Sequence, residues 1–144
     1  MNKKERGFTL IEIMVVVVIL GMLIAIVAPN VLGNKDKAMV QKAVADINGL
    51  ESALEMYYLD NSTLPTTDQG LQALVSAPSP APRNYRQGGY IKRLPNDPWG
   101  RPYIYINPGE HGRYDLYSLG ADGQEGGDGL NADIGNWNLK DFQK

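Results

Sequence analysis

The residues whose chemistry is easiest to anticipate lie in a glycine-rich stretch near the C-terminus, residues 119–133. Among its five glycines stand four carboxylates: Asp122, Glu125, Asp128 and Asp133. Carboxylates and bent backbone carbonyls around one point are the ligands that a hard cation such as Ca²⁺ requires. Asp122 and Asp133 have the end-to-end spacing of an EF-hand loop, but the last ligand is Asp rather than Glu and no helix is expected on either side. Taken alone, these residues fit a non-EF-hand cation site and a solvated acidic turn equally well.

Other reactive side chains are few. Cysteine is absent, which excludes disulfides, thiol catalysis and Cys-type zinc sites. His111 is the only histidine, and its place between Glu110 and Gly112 predicts a solvated turn residue. The glycines of the acidic stretch lack the G-K-[ST] element of a phosphate-binding loop. The sequence therefore indicates that the protein is not an enzyme, with a membrane-anchored hydrolase built on the acidic stretch as the alternative.

The N-terminal part carries an apolar run with one carboxylate inside it. From residue 8 to residue 28 only Thr9 and Glu12 are polar. Roughly twenty residues at 1.5 Å each span about 30 Å, the thickness of the hydrocarbon layer of a bilayer. Three basic residues precede the run: Lys3, Lys4 and Arg6. Because positive flanks stay in the cytoplasm, we expect one transmembrane helix at 8–28 and an exported C-terminal part.

A secretory signal peptide is the first alternative for this run. It is disfavoured because the run is long for a signal core and Pro29 directly follows the only small-residue cleavage site. A basic leader ending in Gly7, then Phe8, then Glu12 at the fifth mature position resembles type IV prepilins and type II secretion pseudopilins. In that family an inner-membrane prepilin peptidase cuts after the glycine and methylates the new N-terminus. The resemblance implies a leader peptide of residues 1–7 and an N-methylated Phe8.

Glu12 needs an explanation, because a carboxylate inside an apolar span costs a few kcal/mol and is a functional candidate by default. One interpretation is that it lies within a turn or two of the interface and reaches water. The resemblance favours another, in which Glu12 pairs with the α-amino group of Phe8 on a neighbouring subunit. Such a pair would set the register of subunits during assembly into a homopolymeric filament.

The helix is expected to resume after the anchor as an amphipathic spine reaching Tyr58. Apolar residues recur at three- and four-residue steps: Val40, Ala43, Val44, Ile47, Leu50 and Leu54. Pro29 removes a backbone donor and Gly33 weakens the next turn, which predicts a kink or a loosened helix around Gly21–Gly33. The resemblance favours a hinge here and makes Pro29 an assembly residue, since this segment of related subunits can lose helix in a filament.

Residues 29–144 predict one small periplasmic domain of the α+β class. Two strands, 102–106 and 113–118, should form an antiparallel hairpin, which needs the spine helix and a third strand from the C-terminal segment. Residues 94–100 (Leu-Pro-Asn-Asp-Pro-Trp-Gly) and 114–123 closely resemble the major pseudopilins of type II secretion. The resemblance therefore covers nearly the whole chain.

The resemblance also implies one structural Ca²⁺ in the acidic stretch, doing the work that a disulfide does in pilins. Carried over by position, its ligands are the side chains of Asp122 and Asp133 and the carbonyls of Leu119, Gln124 and Asn131. Contacts between subunits could involve the exposed face of the spine helix. Arg93 meeting Glu51 or Glu55 of a neighbour is one hypothesis, and a solvated face is the alternative.

The function implied is that of a structural subunit of the type II secretion pseudopilus. Such a subunit is anchored in the inner membrane with its N-terminus in the cytoplasm, then polymerises through its N-terminal helix into a periplasmic filament. The filament drives export of folded proteins across the outer membrane. Expected partners are copies of itself, the prepilin peptidase, the minor pseudopilins and the inner-membrane assembly platform. A net charge of −2 gives no basic field for nucleic acid. The alternatives are a type IV pilin for adhesion, motility or DNA uptake, which the absent cysteines disfavour, and a minor pseudopilin.

Overall fold

The computed structural model describes residues 6–144, without the side chains of residues 28–30. Residues 1–5, and with them most of the predicted leader, lie outside this description. The chain divides into two compact units, Met1–Lys37 and Ala38–Lys144, which are treated separately below.

One helix, α1, runs from Leu10 to Asn61 over 52 residues. It begins two residues later than the predicted anchor because Thr9 caps its first turn. Its backbone stays helical through Gly21, Pro29 and Gly33, so any kink or loosening there does not interrupt the helix of the single subunit, and loss of helix in a filament stays a prediction. A proline removes one backbone hydrogen bond, and the rest of so long a helix keeps its ladder.

The part of α1 in the first unit is apolar and uncovered. Every described side chain from residue 6 to residue 27 is exposed, and α1 is long and apolar enough to cross a membrane. Such a surface is stable only in lipid or against other protein. This agrees with the predicted transmembrane segment.

Among the described residues, the hydrophobic core lies in the second unit. The predicted stripe of the spine helix is buried in it, with Ile47 and Leu54 fully inaccessible and Leu50 and Tyr57 nearly so. Each large apolar side chain buried in this way contributes roughly 1.5–3 kcal/mol. Since the described core residues and the apolar side chains packed against them lie between Val40 and Phe142, this unit folds around its own side chains.

A three-stranded antiparallel sheet, in the order β1-β2-β3, completes the core of this unit. Its strands are β1 (Ile104–Ile106), β2 (Asp115–Ser118) and β3 (Ile134–Gly135). Tyr105 faces Leu116, and Tyr117 faces Gly135. The predicted α+β class, the hairpin and the third strand are therefore confirmed.

Both strands of the hairpin start two residues later than predicted. Pro102 has no N–H to give to a ladder and makes only a single bridge, to Asn96. Before β2, the Arg113 carbonyl accepts a hydrogen bond from the Gly109 N–H, so Arg113 belongs to the connecting turn. Three short 3₁₀ helices fill the remaining loops: Leu71–Leu74, Gly129–Asn131 and Leu139–Phe142.

Candidate assembly and cation-binding sites

The predicted processing site lies immediately before α1. Gly7 and Phe8 are non-helical and exposed, so the bond between them is reachable. Just inside the helix, the Thr9 N–H donates to Glu12 Oε2 at 2.9 Å, and the Glu12 N–H donates to Thr9 Oγ1 at 3.3 Å. This reciprocal pair is a capping box. It was not predicted, although Thr-x-x-Glu, its sequence signature, is present at residues 9–12.

The capping box gives Glu12 a local role in the subunit. Its carboxylate lies at the N-terminus of α1, where the helix dipole favours negative charge. It also remains exposed, so no side chain of the described part of the unit covers it. The carboxylate is therefore held within one helical turn of Phe8 and is open to a partner.

The acidic stretch forms a closed loop whose two arms are joined by hydrogen bonds. The Ala121 N–H donates to the Leu130 carbonyl at 2.9 Å, and the Gly126 N–H donates to Asp133 Oδ2 at 2.9 Å. At Gly120, which has φ +68°, an added Cβ would lie 2.7 Å from the Ala132 carbonyl oxygen. Glycine is thus required where the arms meet, and residues from both ends of the predicted ligand set are brought into one loop.

The environment of the Asp133 carboxylate is the feature of the loop that best fits a bound cation. Its Oδ1 is shielded from solvent and has no hydrogen-bond partner, although an unpaired buried polar atom is costly. Asp122, on the other arm, is exposed and accepts the Gln124 N–H through Oδ1 at 3.1 Å. A cation that engages Asp133 Oδ1 would remove the cost of leaving it unpaired.

The remaining ligands would have to be carbonyls. Across residues 6–144, no three side chains of the metal-ligating types come together, so a cation in this loop would need backbone oxygens beside the two carboxylates. Asp128 is exposed, and its carbonyl accepts the Asn131 N–H at 3.1 Å. The residues present therefore fit a hard cation with the predicted mixed ligand set.

The turn at residues 94–100 contains a buried carboxylate that was not predicted from the sequence. Asp97 is 4% exposed and accepts hydrogen bonds from the backbone N–H groups of Trp99 and Arg101. It also accepts the hydroxyl of Ser118 at 2.7 Å. Asp97 therefore joins this turn to the end of β2, directly before the acidic loop.

His111 lies in the connecting turn and is exposed, as predicted, but its ring is not free of contacts. Its ring stacks on Trp137 with a centroid distance of 3.8 Å and an interplanar angle of 7°, and its Nδ1 lies 2.9 Å from Asp115 Oδ2. Burial alone would raise the pKa of Asp115, but the hydrogen bonds from the His111 side chain and from the Glu110 and His111 N–H groups bring it below its usual value. These contacts join the β1–β2 turn to the C-terminal segment, a structural role that uses no reactive chemistry.

A groove of about 200 Å³ lies beside the spine helix and is lined by Glu51, Arg113 and Trp137 among others. Burial raises the pKa of Glu51, although the side chains of Asn136 and Tyr114 oppose the shift. Arg93 and Glu55 are exposed. Within residues 6–144 no ion pair involves Glu51, Glu55 or Arg93.

Two protein families match this sequence. The family described as "Type II secretion system (T2SS), protein G" matches residues 30–137. The family described as "Prokaryotic N-terminal methylation motif" matches residues 2–28. The second match covers the predicted leader and anchor, and the first covers most of the predicted periplasmic domain.

Individual relatives match almost end to end. The chain is 67% identical over 142 residues to the type II secretion system core protein G of Vibrio cholerae serotype O1, covering 98% of this chain and 97% of the relative. It is 60% identical to the protein of the same name from Aeromonas hydrophila over 144 residues, 99% of both. Among solved structures, the major pseudopilin from the type 2 secretion system of enterohaemorrhagic Escherichia coli superposes with a TM-score of 0.66 at 56% identity. That match covers 76% of this chain and 95% of the other.

Proposed function

The chain belongs to the protein G family of the type II secretion system, and from this we propose how it works as the major pseudopilin of that system. It is a structural subunit and not an enzyme. Copies polymerise through α1 into a periplasmic filament that drives export of folded proteins across the outer membrane. One observation carries this proposal: the first unit exposes an apolar helical surface, while the second unit keeps a complete core of its own.

Processing comes first. The prepilin peptidase of the inner membrane cleaves between Gly7 and Phe8 and methylates Phe8. The exposed, non-helical backbone on both sides of this bond supports the step. Before assembly the subunit is anchored by residues 8–28 in the inner membrane, with its N-terminus in the cytoplasm and residues 29–144 in the periplasm. The assembly platform and the minor pseudopilins then incorporate it into the filament.

Assembly uses Glu12 and the segment around Pro29. The new α-amino group of Phe8 on one subunit pairs with Glu12 of a neighbour, and the pair fixes their register. In lipid, an unpaired charge in this position is costly, so pairing favours the assembled state. The helix around Pro29, continuous in the single subunit, loses its regular geometry when subunits pack, because proline has no backbone N–H to donate to the preceding turn.

The acidic loop holds one structural Ca²⁺. The side chains of Asp122 and Asp133 and the carbonyls of Leu119, Gln124 and Asn131 would hold it. When bound, the ion supplies a cross-link between the two arms of the loop. Asp133 Oδ1, shielded and unpartnered, supports this proposal.

Contacts between neighbouring periplasmic units include Arg93 against Glu51 or Glu55. The exposure of Arg93 and Glu55, together with the groove beside Glu51, supports the pairing. A guanidinium from a neighbour would counter the desolvation that raises the pKa of Glu51.

The test of the proposed assembly mechanism separates the two roles of Glu12. Glutamine can replace glutamate in a capping box but cannot pair as an anion with an amine. We expect Glu12→Gln to insert into the membrane and to be processed normally, and to give almost no filament on sedimentation and electron microscopy. Thr9→Val, which removes the hydroxyl of the capping box and keeps the charge, is the matched control and should assemble. Normal filament yield from Glu12→Gln, or an equal loss in Thr9→Val, would contradict the pairing role.

A further inference from the structure

Arg101 lies at the start of the acidic loop, although it belongs to a different part of the chain. Its Nη2 donates to the Ala121 carbonyl at 2.9 Å, and its Nη1 approaches the Gly120 carbonyl at 3.5 Å. A Cβ added to Gly123 would lie 2.5 Å from Arg101 Nε, so the guanidinium is packed against the backbone of that glycine. One side chain thus contacts three residues of the first turn of the loop.

A second connection fixes the same turn from its other side. Asp97 accepts the Arg101 N–H at 2.8 Å and the Ser118 hydroxyl at 2.7 Å. Ser118 Oγ in turn accepts the Gly120 N–H at 3.2 Å. The N–H of Gly120 and the carbonyls beside it are therefore both tied to residues 97–101. No atom of the acidic loop's far arm takes part in these hydrogen bonds.

The turn that is held in this way lies between two of the predicted ligands. The carbonyls of Gly120 and Ala121 are committed to the guanidinium, and their immediate neighbours in the chain are Leu119 and Asp122. Fixing these two peptide groups restricts the backbone that carries both neighbours. The contacts of Arg101 therefore restrict the N-terminal arm of the acidic loop, which carries the predicted ligands Leu119 and Asp122.

Two opposing effects of Arg101 on a bound cation have to be weighed. Its guanidinium is always charged, and a positive charge near the site repels a cation, but water and salt screen that repulsion over about 10 Å. Against it stands the entropy of ordering a loop that contains five glycines, since glycine loses more freedom than any other residue. A turn that is ordered before the ion binds avoids that entropic cost. Unlike the electrostatic repulsion, this entropic contribution to affinity does not depend on screening by salt.

We propose that Arg101 is a positioning residue of the cation site, which holds the first turn of the acidic loop in its binding conformation through the carbonyls of Gly120 and Ala121. This inference rests on the calcium binding proposed above. Lysine at this position would keep the charge but could not donate to two carbonyls in a fixed fork.

The experiment measures the dissociation constant of Ca²⁺ by calorimetric titration of the full-length chain in detergent. Arg101→Gln should raise Kd about tenfold, the equivalent of one hydrogen bond from a charged donor. The Kd of Arg101→Lys should lie between those of wild type and Arg101→Gln. Arg83→Gln is the matched control, because Arg83 is exposed and the substitution changes the net charge by the same amount. Its Kd should stay within about twofold of wild type, as expected for a screened charge.

A second measurement separates positioning from general stability. Amide hydrogen exchange in EDTA should be faster at residues 120–123 in Arg101→Gln than in wild type, with protection of the spine helix unchanged. If calcium binds the wild type but Kd is unchanged or lower in Arg101→Gln, the positioning role is wrong. An equal rise in Arg83→Gln would contradict it as well, because charge alone would then explain the effect. A wild-type chain that binds no calcium overturns the calcium proposal itself, and this inference with it.

Discussion

Asp133→Asn, examined with and without calcium, tests the proposed cation site most sharply. Asp133 Oδ1 is shielded and unpartnered, while Oδ2 accepts the Gly126 N–H. Without a cation, an unpaired buried polar atom costs about 1–3 kcal/mol. Asparagine keeps one oxygen for Gly126 and removes the charge, and its amide nitrogen takes the unpaired place of Oδ1, so only the charge contribution is relieved. In EDTA we therefore expect the variant to equal wild type in stability or to exceed it by about 1 kcal/mol.

Calcium should reverse this order. A ligand present at one hundred times its Kd, and bound only by the folded state, adds about 2.7 kcal/mol. For a folded unit of about 100 residues, that increment raises Tm by roughly 10–20 °C. Asp133→Asn loses a carboxylate ligand and should gain little of the increment. Wild type should therefore be the more stable protein in calcium and should have no advantage in EDTA.

The assay is thermal unfolding followed by tryptophan fluorescence. The chain has 2 tryptophans, Trp99 and Trp137, and both belong to Ala38–Lys144, so the signal reports this unit alone. Asp68→Asn, an exposed carboxylate outside the loop, serves as the control and should keep the full calcium increment. If wild type melts at the same temperature in EDTA and in calcium, or if Asp133→Asn keeps the whole increment, the assignment of Asp133 is refuted.

Two further predictions concern the second unit, Ala38–Lys144. Arg93→Glu should reduce the yield of sedimented filaments, and adding Glu51→Arg should restore it if the two side chains meet between subunits; an unrescued double variant counts against the contact. Asp115→Asn should lower the free energy of unfolding at pH 7 by about 2 kcal/mol, since Asp115 accepts charge-assisted hydrogen bonds. A lowered pKa gives stability that is present above the unfolded-state value, about 3.9, and is lost as pH falls through the folded-state pKa. Urea unfolding should therefore show the difference shrinking between pH 5 and pH 2, and a constant difference would exclude this origin.

Periodicity in the sequence was enough to predict the helix and its buried face. Ile47, Leu50 and Leu54 recur at helical spacing, and the structure buries all three. Whether the helix continues through Pro29 could not be predicted from periodicity. A proline lowers the stability of a helix but does not decide whether a long helix continues through it. The ends of the strands were also missed by two residues, since they depend on pairing partners far along the chain.

The contacts around the acidic loop show where sequence reasoning stops. The carboxylates and glycines of the loop can be read from the sequence, and they were sufficient to suggest a cation-binding site. The hydrogen bond from Arg101 to Ala121 spans 20 residues, and the Ser118–Asp97 bond spans 21. Neither has a local pattern, because only the fold brings these groups together. The stack of His111 on Trp137 was missed for the same reason, whereas the Thr9–Glu12 capping box was local and could have been predicted.

The separate core of Ala38–Lys144 has a consequence for how such a subunit can change. Among the described side chains of residues 6–27 and 31–37, none belongs to the buried cluster, so we expect substitutions there to leave the folding equilibrium of Ala38–Lys144 unchanged. Selection can therefore adjust how tightly subunits adhere to one another without risking misfolding, and can alter the outer surface without disturbing the polymerising segment. An exchange of anchors between two related proteins should transfer polymerisation behaviour while each head keeps its own melting temperature.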